Sequence, residues 1–307
     1  MKKQVIFFAM TALAAIVFVS CSMDDETVSD ERIAVKFAAD GSTDVQTRVS
    51  GDSWERGDPV GIYMTEHRST NVSEGYANIS YTASGYGTGA VGFIEAGTKI
   101  YYPQNGNAVD FIAYHPYQAG LNDADWTYRV NVGDQNSLTA IDLMRSEIAG
   151  NNSAGYDKTY TGDVNLRFRH RLAKLNVTVQ AGAGVGNLYG LTVTIKGMKT
   201  KADFNVKTDV LSNERDPYYI TPKQTGSYKY ESILLPTSLN GNHEVVFTVG
   251  GNEYTWELSG QYGINGGRLA EGTMYDYVVT LNKHAVSVTG TITNWSSVNG
   301  RGNAVIR

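Results

Sequence analysis

The stretch MYDYVVTLNKHAVSVTGTITNWSSVNGRGNAVIR, residues 274–307, decides the fold class. Val, Thr, Tyr and Ile crowd it, and these residues suit a pleated, half-buried surface. Tyr275, Tyr277 and Val279 alternate along 275–282, which gives one strand a single apolar face. Val286, Val288 and Ile292 repeat the pattern along 285–295. Beyond Val298 the tail 300–307 ends on Ala304, Val305 and Ile306. An apolar strand at a chain end needs a sheet edge, its own or another molecule's.

The same period-two pattern runs through the rest of the chain. Ile33, Val35 and Phe37 share one face of a short first strand. Gly57-Asp58-Pro59 reads as a turn into a strand over 60–64. Residues 109–117 read as a strong strand that ends at His115-Pro116. Alternation returns over 126–132, and 188–197 and 228–235 read as further strands. Gly250-Gly251-Asn252 joins 244–249 to 253–258 as a hairpin. Residues 140–148 read either as a helix or as another strand. Over 165–179 the apolar parity shifts near 171–173, which predicts a bulge or bend. The polar run 150–162 is the best internal boundary.

Of the 307 residues, 41% are hydrophobic and 19% charged, so the chain is globular. With 33 Gly and 20 Tyr against 6 Pro, it favours an all-β architecture with many turns. The net charge of -5 and the lack of a basic cluster exclude nucleic acid as an expected partner. Met1-Lys2-Lys3 precedes an apolar run over 5–19, which fits a signal segment at 1–20. Val19-Ser20-Cys21-Ser22 resembles a lipobox, and Cys21 is the single cysteine. It predicts lipidation at Cys21 and anchoring in an outer membrane, with 21–32 as an acidic flexible linker. Met23-Asp24-Asp25-Glu26 resembles the export signal of surface-exposed lipoproteins.

These motifs together resemble one family. Thr47-Arg48 follows the first strand; Trp54, Gly57-Asp58 and Gly61-Ile62-Tyr63 come next. Then come 111–117 (FIAYHPY), 168–175 (FRHRLAKL), 275–280 and Ile292-Thr293-Asn294-Trp295. Their order and spacing are similar to the fimbrillins of Bacteroidales type V pili, over essentially the whole chain. The resemblance implies two tandem transthyretin-like Greek-key β-sandwich domains, at 33–162 and 163–307. It implies a structural fimbrial subunit, secreted as a lipoprotein and used in adhesion. An Arg-specific protease would cut between Arg48 and Val49 and remove the strand bearing Ile33, Val35 and Phe37; Arg32 and Arg56 are rival sites. A neighbouring subunit would fill the vacated groove with a donor strand bearing Val286, Val288, Ile292, Val298, Ala304, Val305 and Ile306. The partners implied are other copies and the anchor and tip subunits of the same fimbrium. Head-to-tail exchange of this type does not close, so it builds a filament.

No enzymatic motif stands out, and no cofactor or metal is expected. His67, His115, His170, His243 and His284 show no metal-ligand spacing. Asp123 and Asp125 read as part of a turn. An anchor or tip role within the fimbrium is an alternative. A surface glycan-binding lipoprotein is another, with Trp54, Trp126, Trp256 and Trp295 as stacking platforms. Each of these Trp lies beside alternating apolar residues, which points instead to core packing.

Overall fold

The computed structural model describes residues 32–39, 53–87, 90–259, 267–283 and 285–295. They form an all-β protein. The first strands are β1 (Phe37–Ala39), β2 (Pro59–Glu66), β3 (Ile79–Ala83), β4 (Gly92–Glu95) and β5 (Val109–His115). Next come β6 (Thr127–Asn131) and β7 (Met144–Ser146), then a 3₁₀ turn at Asn151–Ser153. β8 (Val164–Leu166), β9 (Phe168–His170), β10 (Ala173–Ala181), β11 (Thr192–Lys196) and β12 (Lys199–Asn205) follow. After them run β13 (Val210–Pro217), β14 (Lys223–Gly226), β15 (Lys229–Leu234) and β16 (Thr237–Ser238). The last are β17 (Glu244–Val249), β18 (Asn252–Glu257), β19 (Arg268–Leu269), β20 (Thr273–Asn282) and β21 (Ala285–Asn294).

An eight-stranded sheet has the order β8-β1-β4-β3-β2-β5-β7-β9. A five-stranded sheet has the order β14-β15-β10-β20-β21. Two three-stranded sheets, β11-β17-β18 and β13-β12-β6, and a β16-β19 pair complete the described fold. The parity shift at 171–173 marks where the chain leaves β9 in one sheet and enters β10 in another. The first sheet therefore reaches His170, past the expected boundary before Asp163. Residues 140–148 hold β7 and no helix, because Met144 and Arg145 each pair with both β5 and β9. The β17–β18 hairpin closes through Gly250 and Gly251 at φ 56° and 78°, a conformation glycine adopts without strain.

Three apolar clusters fill the protein. One draws on residues between Val35 and Phe168, a second on residues between Ala173 and Leu281. The third joins the two stretches: Tyr63, Ile112, Trp126 and Leu143 meet Phe204, Ile233, Leu235 and Trp295. Backbone pairing crosses the same seam, since β6 pairs with β12 from Thr127↔Asn205 to Asn131↔Lys201. Buried Gln135 adds a clamp. Its Nε2 donates to the Val132 and Ile233 carbonyls at 2.6 and 2.9 Å, and its Oε1 accepts from Ile233 N–H at 2.9 Å.

Asp203 on β12 ties the β13-β12-β6 sheet together. It accepts from Asn213 Nδ2 at 2.7 Å and Arg215 Nη2 at 3.1 Å, and Arg129 Nη1 lies 3.1 Å away. The Asn213 bond first, then the two guanidinium groups, hold its carboxyl below the usual carboxylate range. A lowered folded-state pKa stabilises the fold above the unfolded value and loses that contribution as acid titrates the group. Asp203→Asn is therefore expected to cost about 1 kcal/mol at neutral pH, the worth of hydrogen bonds to a charged group reduced by solvent screening of the exposed Arg partners. Urea unfolding at falling pH should show the gap between variant and parent closing.

Candidate strand-exchange site

β1 is short and lies inside its sheet. It pairs antiparallel with β4, Phe37 opposite Phe93, and parallel with β8, Phe37 beside Val164. Two backbone bonds extend the pairing upstream. Val35 N–H donates to the Ile100 carbonyl and Tyr102 N–H to the Ile33 carbonyl, both at 3.0 Å. Ala39 N–H reaches the Val91 carbonyl at 2.8 Å, and Val164 N–H the Lys36 carbonyl at 2.7 Å. The Phe37 ring meets Tyr81 and Phe111 edge to face, at centroid distances of 5.3 and 5.0 Å. Such pairs add about 0.5–1.5 kcal/mol beyond their area.

The expected first-strand residues divide. Val35 and Phe37 are buried at 5% and 2% exposure, but Ile33 is 42% exposed. Ile33 stands outside the core, and its contribution is the carbonyl that accepts from Tyr102. Ala38 and Ala39 are also buried, so β1 is covered on both faces and does not alternate. Removing β1 would uncover two ladders at once, on β4 and on β8. Strands pair about 4.8 Å apart, so the gap would span about 9.6 Å, one strand wide.

The C-terminal strand β21 lies at the edge of the five-stranded sheet. It pairs with β20 along its whole length, from Thr273↔Asn294 to Asn282↔Ala285. Val286, Val288 and Ile292, expected in a donor strand, pack half-buried on the second cluster of their own chain. Gly290 faces Tyr277 at mid-strand, where a Cβ would sit 2.3 Å from Tyr277 Cδ1. Tyr277 packs edge to face on Trp256 with centroids 4.9 Å apart, and its burial pushes the phenol up to about 12. Cys21, Arg48, Val49, Val298, Ala304, Val305 and Ile306 lie outside the described residues.

Other expected sites resolve into packing. Trp54, Trp126, Trp256 and Trp295 are all buried, so none presents an open face for a sugar ring. Trp54 contacts Phe93, His115 and Phe168, and Trp126 stacks on Tyr63 at 3.7 Å. His115 is buried with Nδ1 2.8 Å from the Pro59 carbonyl, and burial pushes its imidazole down. His67 lies 2.9 Å from buried Asp110. Asn122 Oδ1 accepts from Ala124 and Asp125 N–H, which makes the Asp123 segment a turn. Among the described residues no group of three His, Cys, Asp or Glu could hold a metal ion. Among the same residues no helix is long and apolar enough to cross a membrane.

Comparison with known proteins matches residues 47–295 to a family model described as fimbrillin-like. A Bacteroides uniformis protein named as a candidate fimbrium subunit, Fim1C, is 31% identical over 315 residues, covering 98% of each chain. The crystal structure of a candidate cell adhesion protein from the same species aligns with a TM-score of 0.72 at 29% identity. That alignment covers 87% of this chain and 99% of the other. A candidate cell adhesion protein from Bacteroides ovatus shares the fold, with a TM-score of 0.64 at 18% identity over 87% and 99% of the two chains.

The packing around β1 has a measurable cost. Phe37→Ala in the full chain is expected to lower stability by about 3–5 kcal/mol, the usual range for a buried Phe truncated in a core. Chemical denaturation of the untrimmed protein checks this; a loss under about 1 kcal/mol would mean that β1 adds little to the first core.

Proposed function

This chain belongs to the fimbrillin-like family, and we propose that it is a polymerising subunit of a surface fimbrium built by strand exchange. In this reading the chain is exported as a lipoprotein on Cys21 and reaches the outer face of the outer membrane. A protease of Arg specificity then cuts between Arg48 and Val49. The released piece carries β1, and the C-terminal segment of a neighbouring subunit enters between β4 and β8.

The observation that carries the reading is the position of β1. An interior strand is joined to the fold only by what precedes β2, and Arg48 lies on that connection. A cut there leaves β1 attached by hydrogen bonds and packing alone. Its loss would strand backbone donors and acceptors on both neighbours and open the pocket lined by Tyr81, Phe93 and Phe111, a state that is costly in water. A replacement strand restores both ladders and buries apolar area worth about 25 cal/mol per Å². The match of the family model from residue 47 onward supports the same division, since β1 lies upstream of it.

We also read the chain as two tandem transthyretin-like sandwiches. The separate apolar clusters of 35–168 and 173–281 favour this, and we put the division between β9 and β10, where the sheet changes. The polymerising role is preferred over an anchor or tip role because the apolar tail suits a donor.

Treatment with a trypsin-like Arg-specific protease should yield a product whose N-terminal sequence starts at Val49, and Arg48→Ala should abolish that product. The trimmed protein should form ladders that survive mild heating in detergent and fibres visible by electron microscopy. Deleting residues 298–307 should leave a folded monomer that forms neither; normal fibres from the deletion would overturn the donor assignment.

A further inference from the structure

We propose that Trp295 is a releasable latch, the buried side chain that secures the end of edge strand β21 against opening from β20. Its indole stacks on the His170 imidazole with centroids 3.8 Å apart and planes 6° from parallel. His170 belongs to β9 of the eight-stranded sheet, so the seat lies in the other half of the chain. The imidazole is buried and held by Asp142, whose Oδ1 lies 2.9 Å from Nδ1. The backbone completes the seat: Trp295 N–H donates to the Gly272 carbonyl at 2.8 Å, and Gly272 N–H to the Leu172 carbonyl at 2.9 Å.

Three features make this contact decisive for β21. First, every described side chain of residues 286–293 is half-buried or exposed, whereas Trp295 is 4% exposed. The side-chain hold on the strand is therefore concentrated at its end. Second, β21 packs on the second cluster while Trp295 enters the third, so the strand is pinned across the seam. Third, the pin is built to come out. Trp295 Nε1 and His170 Nε2 are buried with no hydrogen-bond partner, so opening lets both regain bonds to water. A cavity of about 550 Å³ beside the indole, lined in part by Leu138, Lys174, Met274 and Ile233, gives it room to leave.

Seen through the strand-exchange reading, on which this consequence rests, the latch holds the donor segment in its own sheet until assembly. Release of the indole then lowers the cost of opening the β20–β21 ladder from that end. The latch itself can be tested on the untrimmed monomer, without any polymer.

Hydrogen exchange read by mass spectrometry on the full chain is the test. Trp295→Ala should speed exchange of the amides of residues 286–294 at least about tenfold, while those of β2 and β5 change less than about twofold, as for a local opening. His170→Ala, which removes the seat and keeps the indole, should act in the same direction. Trp295→Phe keeps a ring on the seat and should give a smaller acceleration in the same segment, so it carries the test if Trp295→Ala fails to fold. Unchanged exchange in β21, or an acceleration spread evenly over both sheets, would overturn the latch. Because no polymer forms in this assay, its outcome is independent of the ladder and fibre tests of strand exchange.

Discussion

A three-residue strand filling the space between β4 and β8 is the constraint on which the first half of the fold depends. Phe37 supplies most of the side-chain contact, edge-on to Tyr81 and Phe111, and β1 completes two ladders with a single backbone. Burying one such ring is worth about 1.5–3 kcal/mol. That is a large fraction of the net stability of an ordinary domain, about 5–15 kcal/mol. A strand this short gains little from its own length. It holds because every one of its faces and edges is occupied.

The two halves of the chain are joined by more than a linker. β6 leaves the first stretch to pair with β12, Gln135 occupies a backbone site beside Ile233, and the third cluster packs across the seam. Asp203 on β12 draws in Arg129 and Arg215 from the flanking strands β6 and β13. Trp295 belongs to this set, and it follows directly on β21, the edge strand of the five-stranded sheet. The contacts that join the halves and the contact proposed to pin β21 are thus of one kind.

Local chemistry was readable where it was self-sufficient. The Gly250-Gly251-Asn252 turn, the alternation of Tyr275, Tyr277 and Val279, and the parity break before Ala173 all have their cause within a few residues. The all-β class follows from them. What the residues did not disclose was partnership. β13, with the sequence VLSNERDP, has no apolar alternation, because its pairing with β12 is exposed and its hold is polar. Residues 140–148 stayed ambiguous because β7 owes its form to β5 and β9 on either side. Ile33 joined the apolar pattern of Val35 and Phe37, yet the sheet had no place for its side chain. The stack of His170 on Trp295 joins residues far apart in the chain, and no periodicity announces it. A Trp at the end of a half-buried strand was the available hint.

β1 runs parallel to β8 and antiparallel to β4. The two ladders differ in the spacing and slant of their hydrogen bonds, so a substitute that kept both would run in the same direction as β1. Repeated from copy to copy, the proposed junction would point every subunit the same way. Under the proposed exchange the fibre would be an arrow with unlike ends, one offering an empty groove and the other a free tail, and growth and capping at those ends would be different reactions.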